Sequence, residues 1–204
     1  MDEQLKEDIW SIWKILLDCQ ENLAFSKYFY KPDTDDERNF IHSSKELKYI
    51  RFSLWKLGII EIHKILSHSK NDVYSLWNLM NNLENGKYVH HGISKDVVST
   101  WQTNLKTTKK TLAKISLLRN KNYAHTDSGS KSKESDITFE EVEVVLKIIE
   151  SVIRDVYSHA FKSGIVNETL IFQKDSFDIV KVLAKEHKDR MQALIDSAKS
   201  YNIE

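Results

Sequence analysis

Residues 138–156 read TFEEVEVVLKIIESVIRDV, and this stretch indicates the fold class of the chain. Glu141 follows Thr138 at the spacing of a capping box, in which each side chain bonds the backbone N–H of the other residue at a helix start. The apolar residues behind it recur at steps of three and four, as on one face of a helix. They are Val142, Val145, Leu146, Ile149, Val152, Ile153 and Val156. The stretch therefore predicts an amphipathic helix.

The rest of the chain is poor in residues that interrupt helices. Its 204 residues include five glycines and one proline, and 41% of them are hydrophobic. Because glycine and proline mark turns and break helices, their scarcity favours a few long helices over many short strands. We predict an all-α fold, an antiparallel bundle of five to six helices in a single domain that spans residues 1–204.

Apolar periodicity and turn residues predict where the other helices lie. Four of them precede the quoted stretch and one follows it, at about residues 5–30, 36–66, 70–85, 94–119 and 175–202. We expect residues 69–71 to cap the third and Ser94 to open the fourth. The polar, serine-rich residues 126–137 predict a mobile loop, and residues 165–172 predict an extended segment.

Charge and cysteine content narrow the possible partners and compartment. The chain has 30 basic and 30 acidic residues, so its net charge provides no global attraction to an anionic partner. One cysteine, Cys19, cannot form an internal disulfide, which favours a reducing compartment. Acidic residues at the N-terminus are unlike a secretory signal, and no segment has the length of a membrane span. We predict a cytoplasmic protein with no membrane partner.

One segment combines residues suited to proton transfer and phosphate binding. Residues 118–127 read LRNKNYAHTD and follow the fourth predicted helix. Between Asp96 and Asp127 the chain has no acidic residue, whereas it has six cations: Lys106, Lys109, Lys110, Lys114, Arg119 and Lys121. This basic stripe favours an anionic partner such as RNA. Acidic residues after the loop leave open the alternative that two neighbouring helices neutralise each other.

The spacing of Arg119, Asn120 and His125 resembles the Arg-polar-His motif of the HEPN superfamily. The sequence RNKNYAHTD at residues 119–127 is similar to that of prokaryotic abortive-infection members. The resemblance implies a helical bundle that forms a homodimer and acts as a metal-independent endoribonuclease, in abortive infection, phage defence or a toxin–antitoxin pair. It implies RNA and an antitoxin or regulatory protein as partners, with no cofactor and no metal.

The chemistry of these residues fits RNA cleavage by 2′-hydroxyl attack. A histidine with an ordinary pKa of about 6.5 exchanges protons, so His125 is the predicted acid or base. Arg119 steadies the phosphate charge through two parallel hydrogen bonds, and Asn120 orients His125 or contacts the ribose. The predicted substrate-binding residues are Lys114, Lys121, Tyr123 and Asp127.

Helix geometry adds a condition to this site. On a continuous α-helix, positions 119 and 125 lie about 120° apart. The two side chains therefore share a site only if the helix ends or distorts before His125, or if Arg119 of one subunit faces His125 of another.

Alternatives remain open from the sequence. Arg154 and His159 also fit the loose motif, although they lie inside a predicted helix. Cations at a helix end also complement the negative end of its dipole, so Arg119 and His125 have a purely structural interpretation. The alternative function is a non-catalytic helical module that binds RNA or another protein, for example a toxin–antitoxin component.

Overall fold

The computed structural model describes residues 2–120, 137–165 and 178–201. Within these ranges the chain forms eight α-helices, one short 3₁₀-helix at Val89–His91 and no strand. The α-helices are α1 (Asp2–Tyr30), α2 (Asp35–Ser43), α3 (Lys45–Ile65), α4 (Leu76–Glu84), α5 (Lys95–Lys106), α6 (Lys109–Leu118), α7 (Phe139–Phe161) and α8 (Asp178–Tyr201). The all-α prediction is confirmed. The predicted loop at 126–137 and extended segment at 165–172 fall almost wholly outside the described residues.

Two of the predicted helices are each divided in two. Ser44 has an extended backbone between α2 and α3, and its hydroxyl accepts a 3.1 Å hydrogen bond from the N–H of Leu47. Thr107 and Thr108 separate α5 from α6, and their hydroxyls donate to carbonyl groups three residues back. Hydroxyl side chains that bond the nearby backbone compete with the helix ladder. In the described residues, eight α-helices thus stand where five to six were expected.

The start of α4 lies later than predicted. Ser75, rather than residues 69–71, caps this helix by accepting a 3.2 Å hydrogen bond from the N–H of Asn78. The Asn78 amide in turn donates to the carbonyls of Ser69 and Asp72, 3.2 and 2.7 Å away. These bonds satisfy loop carbonyls and hold the preceding residues in a loop rather than a helical turn.

The packing of the described helices defines two compact units. Unit 1 comprises Met1–Gln20 and Lys56–Glu168, and unit 2 comprises Glu21–Trp55 and Thr169–Glu204. Helices α1 and α3 thus contribute residues to both. A single domain over residues 1–204 stays a prediction.

Unit 1 is built on α7, which packs against α5 and α6. All seven apolar positions that predicted this helix are buried, and its capping box is present. The Thr138 hydroxyl accepts from the N–H of Glu141 at 3.2 Å, while the Glu141 carboxylate accepts from the N–H of Thr138 at 3.1 Å. The thiol of Cys19 is buried and donates to the carbonyl of Gly58, 3.3 Å away. Cys19 is thus a core residue.

Unit 2 has its own small core, formed by α2 and α8 with the neighbouring ends of α1 and α3. Its buried residues are Tyr28, Phe29, Ile41 and Val180, and Phe25, Phe40, Leu47 and Leu54 pack on them. An ion pair of 2.8 Å between Lys188 and Asp36 also joins α8 to α2. The apolar contact provides most of the stability here, because exposed ion pairs contribute about 1 kcal/mol at most.

Candidate functional site

The first two motif residues directly follow α6. This helix ends at Leu118, which is buried, and Arg119 and Asn120 continue in a wider π-type turn. The backbone N–H of Arg119 still bonds the carbonyls of Ile115 and Ser116. Wide turns of this kind often occur at functional sites. The regular α-helix thus ends at Leu118, directly before the motif.

The side chains of Arg119 and Asn120 are exposed and bonded to each other. A guanidinium N–H of Arg119 donates to the amide oxygen of Asn120 at 2.9 Å. Because a guanidinium carries five N–H donors, this bond is compatible with a two-point contact to a phosphate. It also directs the Asn120 oxygen toward Arg119, so that the amide N–H groups remain as donors for a ribose or for an imidazole.

A histidine of α3 lies within electrostatic reach of Arg119. Burial lowers the pKa of His63 below its ordinary value, and the positive charge of Arg119 lowers it further, while Asp72 acts in the opposite direction. His63 is half-buried in the last turn of α3. It was not among the predicted site residues, because no local spacing links it to the motif.

Replacing Arg119 by glutamine is expected to raise the pKa of His63 toward the ordinary value of about 6.5. The reason is that a neighbouring cation disfavours the charged imidazolium, and the substitution removes that cation. The pKa is measured by NMR titration of the imidazole protons. Lys109→Gln, at the opposite end of α6, is the matched control and leaves the value unchanged. An unaltered pKa in Arg119→Gln would contradict the electrostatic influence of Arg119 on His63.

Lys114, a predicted substrate-binding residue, lies in an ion pair with α7. Its ammonium group is 2.6 Å from the carboxylate of Glu141, and both side chains are partly exposed. The hydrogen bond from Lys114, followed by that from the backbone of Thr138, lowers the pKa of Glu141. At this position the structure follows the alternative in which two helices neutralise each other. A role of Lys114 in substrate binding stays a prediction.

Four predicted site residues lie outside the described part of the chain: Lys121, Tyr123, His125 and Asp127. Their roles stay predictions. The described part of the site is therefore the end of α6, with Arg119 and Asn120 exposed and His63 within electrostatic reach.

Comparison with known proteins shows the family of the chain. A family model for the AbiU2 group of HEPN proteins matches residues 1–183 of the chain. The chain belongs to the HEPN AbiU2 family. This confirms the resemblance to the HEPN superfamily and makes the protein an abortive-infection-related HEPN domain. The roles of Arg119, Asn120 and His125 stay predictions. No curated protein and no solved structure matches the chain.

In this HEPN domain the second Arg–His pair has structural contacts. The guanidinium of Arg154 lies over the ring of Trp13 in α1 at 4.9 Å, and its Nε donates to Glu150 at 2.9 Å. The rings of His159 and of Trp101 in α5 form a T-shaped contact with their centroids 5.3 Å apart, and the His159 Nδ1 lies 2.8 Å from the carbonyl oxygen four residues back. The two side chains thus pack on different helices rather than in one cleft.

The described residues contain neither a cluster suited to a metal ion nor a membrane-spanning helix. In residues 2–120, 137–165 and 178–201 of the HEPN domain, no group of three or more His, Cys, Asp or Glu side chains is placed to hold a metal ion. None of the helices described has both the length and the apolar character needed to cross a membrane.

Proposed function

We propose that this HEPN domain is a metal-independent endoribonuclease whose site is formed by Arg119, Asn120 and His125. The observation that carries the proposal is the position of Arg119. Its guanidinium is exposed where α6 ends in a wide turn, and it is bonded to the next motif residue in a chain of the HEPN AbiU2 family. A fixed, exposed cation of this kind can stabilise the negative charge that develops on a phosphate in the transition state.

The proposed reaction is a transfer of the phosphate from one oxygen to another. His125 takes the proton of a ribose 2′-hydroxyl, and the resulting oxygen attacks the adjacent phosphorus. The bond from phosphorus to the 5′-oxygen of the next nucleotide breaks, and that oxygen receives a proton. The products are one RNA end with a 2′,3′-cyclic phosphate and another with a 5′-hydroxyl. Arg119 stabilises the negative charge on the phosphate oxygens during this exchange.

Further residues are proposed to hold the substrate. Asn120 donates to the ribose or to His125 through the amide N–H groups that its bond with Arg119 leaves available. Lys121 and Lys114 contact the RNA backbone, and for Lys114 this means exchanging its ion pair with Glu141 for a phosphate. An ion pair that is partly open to solvent is weak enough for such an exchange. Tyr123 and Asp127 complete the proposed set, with the Tyr123 ring stacking on a base.

We also propose a homodimer in the cytoplasm, acting in phage defence under the control of an antitoxin or other regulatory protein. Family membership supports this context. In the dimer, Arg119 of one copy and His125 of another can complete one site, which is the second arrangement that the motif spacing permits.

Purified protein is expected to cleave single-stranded RNA in the presence of EDTA, because no step of the proposed reaction needs a metal ion. The ends of the products are analysed by mass spectrometry, which distinguishes a cyclic phosphate from a linear one. DNA of the same sequence is the control and remains intact, since it lacks the 2′-hydroxyl. Cleavage that requires a divalent cation, or an absence of cleavage, would contradict the proposal.

The alternative function is a non-catalytic helical module that binds RNA or another protein. The ion pair between Lys114 and Glu141 favours the protein-binding form of this module, because the pair neutralises one cation of the basic stripe. In that case the wild-type protein leaves RNA intact but still binds its partner. The same cleavage assay, combined with a binding measurement, therefore separates the two functions.

A further inference from the structure

One face of α3 in unit 2 carries exposed aromatic and basic side chains together. Tyr49 and Phe52 are 72% and 53% exposed, although large aromatic residues usually lie in a core. Lys45 and Lys48 are exposed as well. These four residues, which we call the aromatic–basic face, recur at steps of three and four and thus lie on one side of the helix.

The rest of α3 explains why this side faces outward. Leu47 and Leu54 are seven residues apart, on the same side of the helix, and both pack on the core of unit 2. The aromatic–basic face lies on the other side. The nearest carboxylate in sequence, Glu46, accepts a 2.8 Å hydrogen bond from Ser44 at the helix start. The face itself contains no acidic residue.

A cation–π contact lies where α3 meets the end of α1. The guanidinium of Arg51 lies over the ring of Tyr30, 5.5 Å from its centroid, and Tyr30 is half exposed. The Ser26 hydroxyl donates to the carbonyl of Arg51 at 3.0 Å, which holds the two helices in register. Guanidinium planes and aromatic rings both provide flat surfaces on which bases stack.

We propose that the aromatic–basic face binds single-stranded RNA, with bases stacked on Tyr49 and Phe52 and the RNA backbone held by Lys45 and Lys48. Proteins that bind single strands combine stacking aromatic rings with cations for the phosphates, and this face has both. The inference rests on the proposed function in that the bound molecule is the RNA to be cleaved. It adds a binding surface on unit 2, whereas the proposed catalytic residue Arg119 belongs to unit 1.

Charge decides between RNA and a second copy of the chain as the occupant. Two copies of this face would bring Lys45 and Lys48 of one subunit against the same lysines of the other, and like charges in contact oppose association. A polyanion is attracted to the same lysines and gains affinity from the counterions that it releases. Stacking on two exposed rings then adds affinity that an acidic protein surface would not obtain.

The test measures binding of the full chain to a fluorescein-labelled, 2′-O-methylated oligouridine, which binds as RNA but cannot be cleaved. Fluorescence anisotropy is expected to show that Tyr49→Ala with Phe52→Ala weakens binding roughly ten-fold or more. The matched control is Tyr74→Ala, which removes a 47% exposed tyrosine of unit 1 and leaves affinity unchanged. Circular dichroism confirms that the variants are folded.

The lysines are tested through the salt dependence of binding. Lys45→Gln with Lys48→Gln is expected to reduce the slope of log K against log salt concentration by about 1.4, since each single-strand phosphate contact contributes about 0.7. Lys185→Gln with Lys199→Gln, on α8, removes the same charge elsewhere and leaves the slope unchanged. Equal slopes for the two double variants would overturn the inference.

The outcomes separate this inference from the proposed function. If the protein cleaves RNA but all four variants bind like wild type, the face is not an RNA site and the ribonuclease proposal stands. If Tyr49→Ala with Phe52→Ala loses binding while the wild type fails to cleave, the face binds RNA and the ribonuclease proposal fails. A fall in solution mass of that variant, with RNA binding retained, would identify a subunit contact and overturn the inference.

Discussion

Replacing His125 by alanine is expected to lower the rate of RNA cleavage by about 10²–10⁴-fold. In the proposed reaction His125 removes the proton of the 2′-hydroxyl, and the methyl side chain of alanine cannot accept a proton. The rate is measured under single-turnover conditions in EDTA, so that product release does not limit it. Binding of the uncleavable oligouridine should remain near the wild-type level, because the substitution removes a proton acceptor rather than a cation of the basic stripe.

His159→Ala is the matched control for this prediction. His159 belongs to the second Arg–His pair, and its ring packs against Trp101, so its loss should leave cleavage within a few-fold of wild type. A larger loss in His159→Ala than in His125→Ala would show that the chemistry belongs to Arg154 and His159 instead.

Mixing His125→Ala subunits with Arg119→Gln subunits adds a test of the dimer. A site shared between copies should recover about a quarter of the activity, since half of the dimers then contain one complete site.

Replacing Trp13 by alanine is expected to destabilise the protein by about 3–5 kcal/mol. Trp13 is 1% exposed, and its ring is covered by the guanidinium of Arg154 at 4.9 Å. The substitution leaves a large cavity in unit 1 and removes the surface on which Arg154 lies. The free energy of unfolding is measured by urea titration with circular dichroism, because the substitution itself alters tryptophan fluorescence.

Trp10→Ala is the control on the same helix. Trp10 is half-buried, with the ammonium group of Lys14 5.9 Å from its ring centroid, so its loss should cost about 1 kcal/mol. Losses of equal size for Trp10→Ala and Trp13→Ala would contradict the described packing of α1. The comparison also separates the removal of an indole ring from the removal of a core side chain.

The features that the sequence predicted well depend on neighbouring residues. Thr138 and Glu141 form their capping box, and the seven apolar positions behind them are buried. Asn85 ends α4 with Gly86 next to it at a φ of 79°, and Ser94 caps α5, both as expected. In each case the physical cause lies within one or two turns of helix, so spacing and residue type are sufficient.

The helix breaks at Ser44 and at Thr107–Thr108 could not be predicted in the same way. Apolar residues continue at helical spacing across both points, so periodicity indicates one helix where the structure has two. A serine or threonine hydroxyl competes with the helix ladder for about 1 kcal/mol, which is too little to decide the outcome locally. Packing of the flanking segments decides it.

The sequence by itself determined the all-α class, because helix periodicity and the scarcity of glycine and proline are local properties. Its resemblance to the HEPN superfamily, together with side-chain chemistry, selected residues 119–125 as the candidate site. The tertiary structure decided that Arg154 is a packing residue, that Lys114 pairs with Glu141 and that His63 lies within electrostatic reach of the motif. These contacts depend on which helices become neighbours. Neighbours are selected when the apolar faces of the whole chain are buried together, and no local pattern specifies that selection.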